Sequence, residues 1–107
     1  MLKPEVIQEA VRRIVAAAQS PSRVILFGSY ARGEAREDSD LDLMVIEDEV
    51  ADIGEEMIRL QDAIGWLGVD VDVLVYSEAE YEKRKSWCST PVFWAMREGK
   101  VLYEHPL

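Results

Sequence analysis

Apolar residues return at two different spacings along this chain. Spacings of three and four residues predict amphipathic helices over 4–19 and 52–67. The apolar stripes are Ile7, Val11, Ile14 and Ala18 in the first segment, and Ile53, Met57, Leu60, Ile64 and Leu67 in the second. Each predicted helix therefore has one face suited to packing on a sheet.

Short apolar runs predict four strands, over 24–27, 41–46, 69–76 and 101–103. The first run reads Val-Ile-Leu-Phe and is typical of a strand buried on both faces. A short helical stretch is expected from Tyr30, and helical segments from Ser77 to Glu98 with a break near Pro91. Ser77 and Glu80 have the spacing of a capping box, and Gly99 is expected to cap the end of the last helix.

The order of these elements is helix, strand, turn, strand, helix, strand, helix, strand. It predicts an α/β (α+β) fold, with helices packed on a small mixed β-sheet. The length of 107 residues suits one domain, which we expect to span residues 1–107. Since 49% of the residues are hydrophobic and 31% are charged, the composition is that of a globular protein.

The charge is strongly negative. Twelve Lys and Arg against 21 Asp and Glu give a net charge of −9, and 17 of the acids lie between Glu34 and Glu82. This balance argues against direct binding of a nucleic-acid backbone, which needs a basic face. The one cysteine, Cys88, excludes an intrachain disulfide, and no apolar run is long enough for a membrane span. We expect a cytoplasmic protein without membrane contact.

The segment after the first strand predicts a phosphate-binding turn. Gly28 allows a ligand to approach the backbone closely, and Ser29 adds a hydroxyl group. A helix start presents free N–H groups to an anion, and Arg32 carries a fork of donors suited to phosphate. Gly-Ser alone is also typical of an ordinary turn, so the prediction depends on what lies beside it.

Paired aspartates follow on the second strand. Asp40 and Asp42 are two residues apart and therefore project from the same face of a strand, roughly 7 Å apart along the chain. Two carboxylates at the mouth of a sheet suit Mg²⁺, which completes its shell with water and phosphate. The alternative is a solvated strand end.

A third carboxylate comes from the third strand, where Asp70 and Asp72 share the face opposite the valines. Asp72 lies deeper in the apolar run, so exposure explains it less well. If this strand lies beside the second, three carboxylates converge next to the phosphate-binding turn. That arrangement is typical of metal-dependent phosphoryl or nucleotidyl transfer.

A calcium-binding loop is a competing interpretation. Asp38, Asp40 and Asp42 fall at the first, third and fifth positions of an EF-hand loop, and Glu49 at the twelfth. The sixth position requires glycine and is Leu43, inside a predicted strand. The sequence therefore does not favour an EF-hand.

The remaining residues that could have a catalytic role are expected to have structural roles instead. His105 lies almost at the C-terminus, and Cys88 is expected to be a small core residue. We expect Trp66, Trp87 and Trp94 to be packing residues, although one or two of them could mark a partner interface.

The motifs resemble a known family. Gly28-Ser29-Tyr30-Ala31-Arg32-Gly33, then Ser39-Asp40-Leu41-Asp42-Leu43, then Asp72 are similar to the nucleotidyltransferase superfamily of the DNA polymerase β type. The short length, the Tyr-Ala-Arg-Gly motif and the ending Glu98-Gly99-Lys100-Val101-Leu102-Tyr103 resemble the minimal nucleotidyltransferases (MNT). These are often antitoxins of HEPN ribonuclease toxins.

The resemblance implies a nucleotidyltransferase fold and specific residue roles. Gly28 and Ser29 would bind the terminal phosphates of the nucleotide, supported by Arg32 and Ser39. Asp40, Asp42 and Asp72 would be catalytic and would hold Mg²⁺, and Asp72 would also help to deprotonate the attacking hydroxyl. Asp70 matches no catalytic position.

The resemblance also implies a reaction and a partner. AMP would pass from ATP to a tyrosine of a cognate HEPN toxin, as in type VII-like antitoxins, and pyrophosphate would leave. Two alternatives stay open: a non-catalytic antitoxin that acts by binding alone, and a small-molecule nucleotidyltransferase of the aminoglycoside-modifying kind. A homo-oligomer is also compatible with the sequence.

Overall fold

A computed structural model describes residues 1–87 and 90–105. The predicted order of helices and strands is confirmed. The elements are α1 (Pro4–Ala17), β1 (Pro21–Phe27), α2 (Ser29–Arg32), β2 (Leu41–Glu47), α3 (Ile53–Ile64), β3 (Val71–Ser77), α4 (Glu78–Arg84), α5 (Pro91–Glu98) and β4 (Lys100–Glu104).

The four strands form one sheet in the order β3-β2-β1-β4. β1 pairs antiparallel with β2 and with β4, while β2 and β3 run parallel, so the predicted mixed sheet is confirmed. Parallel neighbours need a crossover connection, and α3 supplies it between β2 and β3. The pairings bring the start of β2 beside the end of β1, and the start of β3 beside the start of β2.

Helices cover both faces of the sheet. α1 and α3 pack on the face that carries Leu41, Leu43 and Val45, and α4 and α5 pack on the face of Met44 and Ile46. The alternation along β2 divides its apolar side chains between two cores, as the period of a strand requires. Asp42 is on the α4/α5 face by the same alternation.

Element ends differ from the sequence-based expectation by a few residues. β1 begins at Pro21 rather than at position 24, because proline is tolerated at the first residue of a strand, where no N–H is required. α3 ends at Ile64, since Gly65 at φ 74° leaves the helical region. The segment 65–70 therefore connects α3 to β3, which starts two residues later than expected.

Side-chain caps fix the starts of three helices. Asp52, Ser77 and Thr90 accept hydrogen bonds from the N–H groups of Glu55, Glu80 and Phe93 respectively. The expected capping role of Ser77 is confirmed.

Gly99 is the C-cap residue of α5, as expected, and its N–H donates to the carbonyl of Ala95 over 2.8 Å. Its φ of −74° is open to any residue, so this cap does not need glycine for a left-handed conformation. Glycine is required there for space instead: a Cβ atom would lie 2.6 Å from the side chain of Ile25 and would overlap the carbonyl oxygen of Ala95. Gly99 thus lets the end of α5 lie directly on β1.

All three tryptophans are exposed rather than packed, so the surface position that the sequence left open for one or two of them applies to all three. Trp66 is 75% exposed, Trp94 is 49% exposed and Trp87 is 47% exposed. The expectation for Cys88 lies outside the described residues, and His105 is exposed, with its backbone N–H donating to the carbonyl of Ser22. Across residues 1–87 and 90–105, no helix has the length and apolarity to cross a membrane.

Candidate active site

The end of β1 brings backbone directly against a carboxylate. Gly28 follows Phe27 with φ 73° and ψ −155°, a conformation open essentially to glycine alone. A Cβ atom at this position would overlap the carboxylate of Asp42 and would lie 3.0 Å from its Cγ. Both the conformation and the space therefore require glycine at the first residue of the predicted phosphate-binding turn.

The strand pairing places two carboxylates side by side. Asp42 pairs across the antiparallel ladder with Phe27 and across the parallel ladder with Asp72. Neighbouring strands lie about 4.8 Å apart, and residues in register project to the same face. The structure thus brings Asp42 and Asp72 together beside Gly28.

Asp40 lies near this pair without closing a ligand set. It is exposed and stands one residue before β2, next to Leu41, whose N–H donates to the carbonyl of Asp70 over 2.9 Å. Among the residues that the structure describes, no three His, Cys, Asp or Glu side chains are close enough to form a metal-ligand group. The site consists of a carboxylate pair with a third carboxylate in its neighbourhood.

The electrostatics of Asp42 reflect this crowding. Its pKa is raised to about 6, first by burial and then by the charge of Asp72, a hydrogen bond with Asp72 and the charge of Asp40. The guanidinium of Arg32 acts in the opposite direction. Like charges held this close favour a bound cation or a proton.

The donor set suits a hard divalent cation. Two adjacent carboxylates offer oxygen ligands of the kind that Mg²⁺ takes, and one or two such ligands are its usual protein share. Asp42 is half-buried and Asp72 is exposed, so a cation between them would keep open positions for other ligands.

The predicted phosphate-binding residues lie at the same edge of the sheet. Ser29 opens α2, and its carbonyl accepts from the N–H of Glu34 over 2.9 Å. Because α2 is a single turn, the dipole expected from a helix start is small, and the hydroxyl of Ser29 and the backbone at Gly28 are the donors that remain. Ser39 braces the loop before β2, since its Oγ accepts from the N–H of Arg36 over 2.8 Å.

Arg32 is held by two acids. Its guanidinium pairs with Glu34 at 3.3 Å and with Glu98 of α5 at 3.5 Å. All three side chains are exposed to solvent, so both ion pairs are weak and a phosphate can compete with the acids for the guanidinium. Glu98 was not predicted as a site neighbour. The spacing of four between Trp94 and Glu98, which places both on one helix face, is the signal that could have found it.

Comparison with known proteins identifies the family to which this chain is similar. Residues 8–93 match the family profile described as the nucleotidyltransferase domain. A Methanocaldococcus jannaschii protein to which protein adenylyltransferase activity is attributed is 32% identical over 101 residues, covering 90% of this chain and 97% of that protein.

Two solved structures show the same fold at low identity. One is the complex of a tri-AMPylated HEPN toxin with an MNT antitoxin from Shewanella oneidensis, with TM-score 0.59, 17% identity, and 97% of this chain and 74% of that chain covered. The other is a spectinomycin adenyltransferase of Enterococcus faecalis with ATP and spectinomycin, with TM-score 0.64, 12% identity, and coverage of 92% and 56%.

Proposed function

Since this chain belongs to the nucleotidyltransferase domain family, we propose that it transfers AMP from ATP to a hydroxyl group of a partner protein, using Mg²⁺. One observation carries the proposal: Gly28 lies directly against Asp42, and Asp42 lies in register with Asp72. A phosphate-binding turn and a carboxylate pair are thereby joined in one site. Phosphoryl chemistry needs this combination, because positioning and charge neutralisation supply most of the catalysis.

The proposed residue roles follow from exposure and position. Gly28 and Ser29 bind the terminal phosphates, and Arg32 leaves its acidic partners to support them. Asp40, Asp42 and Asp72 hold Mg²⁺, which when bound neutralises phosphate charge and lowers the pKa of the attacking hydroxyl. Asp72 is exposed on the edge strand β3 and therefore accessible to an incoming hydroxyl.

The transfer step balances with these groups. The hydroxyl oxygen forms a bond to the α-phosphorus, and the bond from that phosphorus to the oxygen bridging the α- and β-phosphates breaks. The electron pair of the broken bond leaves with pyrophosphate. The proton of the hydroxyl passes to a carboxylate oxygen of Asp72.

A HEPN toxin is the proposed partner, and a tyrosine is the proposed acceptor. The Shewanella oneidensis complex supports this proposal, because it contains a tri-AMPylated HEPN toxin together with an MNT antitoxin. The net charge of −9 supports it as well, since an acidic protein attracts a basic, RNA-cleaving partner. The spectinomycin enzyme, with its similar fold, keeps a small-molecule acceptor as the second candidate.

The test is the intact mass of a candidate HEPN partner before and after incubation with this chain, ATP and Mg²⁺. We expect a gain of one or more AMP units. Asp40→Asn/Asp42→Asn should abolish the mass gain, because neutral amides bind Mg²⁺ much more weakly than negatively charged carboxylates do.

Asp70→Asn is the matched control. Asp70 is exposed, precedes β3 and lies two residues from Asp72, yet it has no role in the proposed site. It should leave the transfer unchanged. No mass gain, together with full neutralisation of the toxin by Asp40→Asn/Asp42→Asn, would favour an antitoxin that acts by binding alone. A gain on an aminoglycoside instead of the protein would favour the small-molecule reaction.

A further inference from the structure

A cleft opens beside the phosphate-binding turn, between the end of β1, α2 and α5. Its volume is about 420 Å³, within the range of small-ligand sites, which is about 300–1,000 Å³. The residues that line it are Phe27, Gly28, Arg32, Pro91, Trp94 and Glu98. Gly28 and Arg32 belong both to this cleft and to the proposed phosphate site, so one ligand can reach from one to the other.

Trp94 gives the cleft a flat aromatic wall. Its indole is 49% exposed, although a tryptophan side chain carries a large apolar surface that favours burial. Phe93 packs against it edge-to-face, with ring centroids 5.2 Å apart, and Thr90 caps the start of the same helix. The indole is therefore presented on a regular helix with a neighbouring ring in contact.

The position of the cleft matches one end of a nucleoside triphosphate. The carboxylates lie on β2 and β3, and α5 packs on β1, the strand that leads into Gly28. A triphosphate bound at Gly28 and Ser29 is therefore next to both the carboxylates and the aromatic cleft. Of the parts of the nucleotide, only the base has an aromatic face that can stack on an indole.

We infer that Trp94 is a nucleobase-binding residue, with the base of the nucleotide stacked on its indole in the cleft between α2 and α5. This inference rests on the proposed function, because it assumes that the triphosphate is held at Gly28 and Ser29. It goes further by assigning the base site to α5, through a residue that the sequence pattern assigned to packing.

The experiment compares ATP with inorganic tripolyphosphate, which has the phosphates but no base. Binding of each is measured by calorimetry with Mg²⁺, on the full chain and on Trp94→Ala, Trp94→Phe and Trp66→Ala. Trp94→Ala should weaken ATP binding about 5- to 100-fold, the value expected for one lost stacking contact, and leave tripolyphosphate binding unchanged. Trp94→Phe should retain most of the ATP affinity.

Trp66→Ala is the matched control, because Trp66 is 75% exposed and lies in the segment between α3 and β3. It should bind both ligands as the unaltered chain does. Equal weakening of ATP and tripolyphosphate in Trp94→Ala would overturn the inference, and so would no weakening at all. Loss of toxin binding with ATP binding intact would overturn it in favour of a partner surface. An unaltered chain that binds neither ligand would contradict the proposed function itself.

Discussion

At the scale of single residues, the contact between the backbone of Gly28 and the carboxylate of Asp42 depends on the absence of a side chain at position 28. The backbone of Gly28 can approach the Asp42 carboxylate only because no Cβ stands between them. The same contact partly buries Asp42, and burial is the largest cause of its raised pKa. One missing side chain therefore brings the turn to the carboxylate and sets the electrostatics of that carboxylate.

Gly28→Ala should cost both stability and activity. The alanine would be strained by about 1–3 kcal/mol at this φ and ψ, and its Cβ would displace Asp42. Displacement of a metal-binding group by about 1 Å should lower AMP transfer about 100-fold. Denaturant unfolding and the mass assay measure the two effects.

Gly33→Ala is the control for backbone strain alone. Gly33 also has a positive φ, 72°, but an added Cβ would meet no atom within 4 Å. It should lose about 1 kcal/mol of stability and keep its activity. Equal losses of activity in the two variants would contradict the proposed contact between turn and carboxylate.

At the scale of elements, the buried acids Glu47 and Glu56 connect β2, α3 and the end of α1. Glu47 at the end of β2 is fully buried, and its Oε1 accepts from the N–H of Ser20, beyond α1. Its Oε2 has no donor partner among the described residues and faces Glu56 of α3. Arg59 donates to Glu56 and to the carbonyl of Ala17 in α1, both over 2.6 Å.

The pKa values of this pair move in opposite directions. The pKa of Glu47 is raised to about 7, mainly by burial and then by its hydrogen bond with Glu56. Burial alone would raise the pKa of Glu56, but hydrogen bonds from protonated Glu47 and from Arg59 lower it below its ordinary range. Glu47 therefore holds the proton and donates it to an ionised Glu56, which satisfies Oε2.

This pair predicts that stability falls as the pH rises. The Glu47 contribution is fully present below its unfolded pKa of 4.5 and is lost as the pH rises through its folded value of about 7. The loss is on the order of 3 kcal/mol, at 1.36 kcal/mol per pKa unit. Glu56 has the opposite slope, but below its unfolded pKa of 4.5. Unfolding by urea from pH 4.5 to 8 measures the slope.

Glu47→Gln should flatten this dependence, because its amide can donate to Glu56 at any pH and still accept from Ser20. Asp42, whose pKa is also raised, should account for the pH dependence of stability that remains. The difference in slope between the unaltered chain and Glu47→Gln therefore measures the contribution of Glu47. A slope unchanged in Glu47→Gln would show that Glu47 does not carry the proton.

Strand alternation could be predicted from the sequence, but strand register could not. Alternation along β2 and β3 predicted correctly that Asp42 and Asp72 face away from Leu41, Leu43 and the valines. The pattern of one chain segment does not contain strand register, so the pairing of Asp42 with Asp72 needed the structure. The cleft beside Trp94 was missed for a related reason: an exposed tryptophan and a buried one have the same helical spacing.

At the scale of the whole molecule, negative charge surrounds the proposed active site. Glu34, Glu37, Asp38 and Asp40 are all exposed in the segment between α2 and β2. A partner that presents a hydroxyl group to Asp72 must approach this edge of the sheet. The acids there would attract a basic partner over a distance of about 10 Å at 0.1 M salt.

Association with the HEPN partner should therefore slow as salt is added, by about tenfold or more between low and high ionic strength. Two charge reversals show where on the molecule the negative charge accelerates association. Each changes the net charge by +2, from −9 to −7, so a difference between them reflects position alone. Glu37→Lys lies before β2, at the active-site edge, and Glu49→Lys lies after it, at the opposite edge. Stopped-flow kinetics should show slower association for Glu37→Lys and nearly unchanged association for Glu49→Lys. Equal slowing would mean that only the net charge matters, and a rate independent of salt would contradict electrostatic attraction altogether.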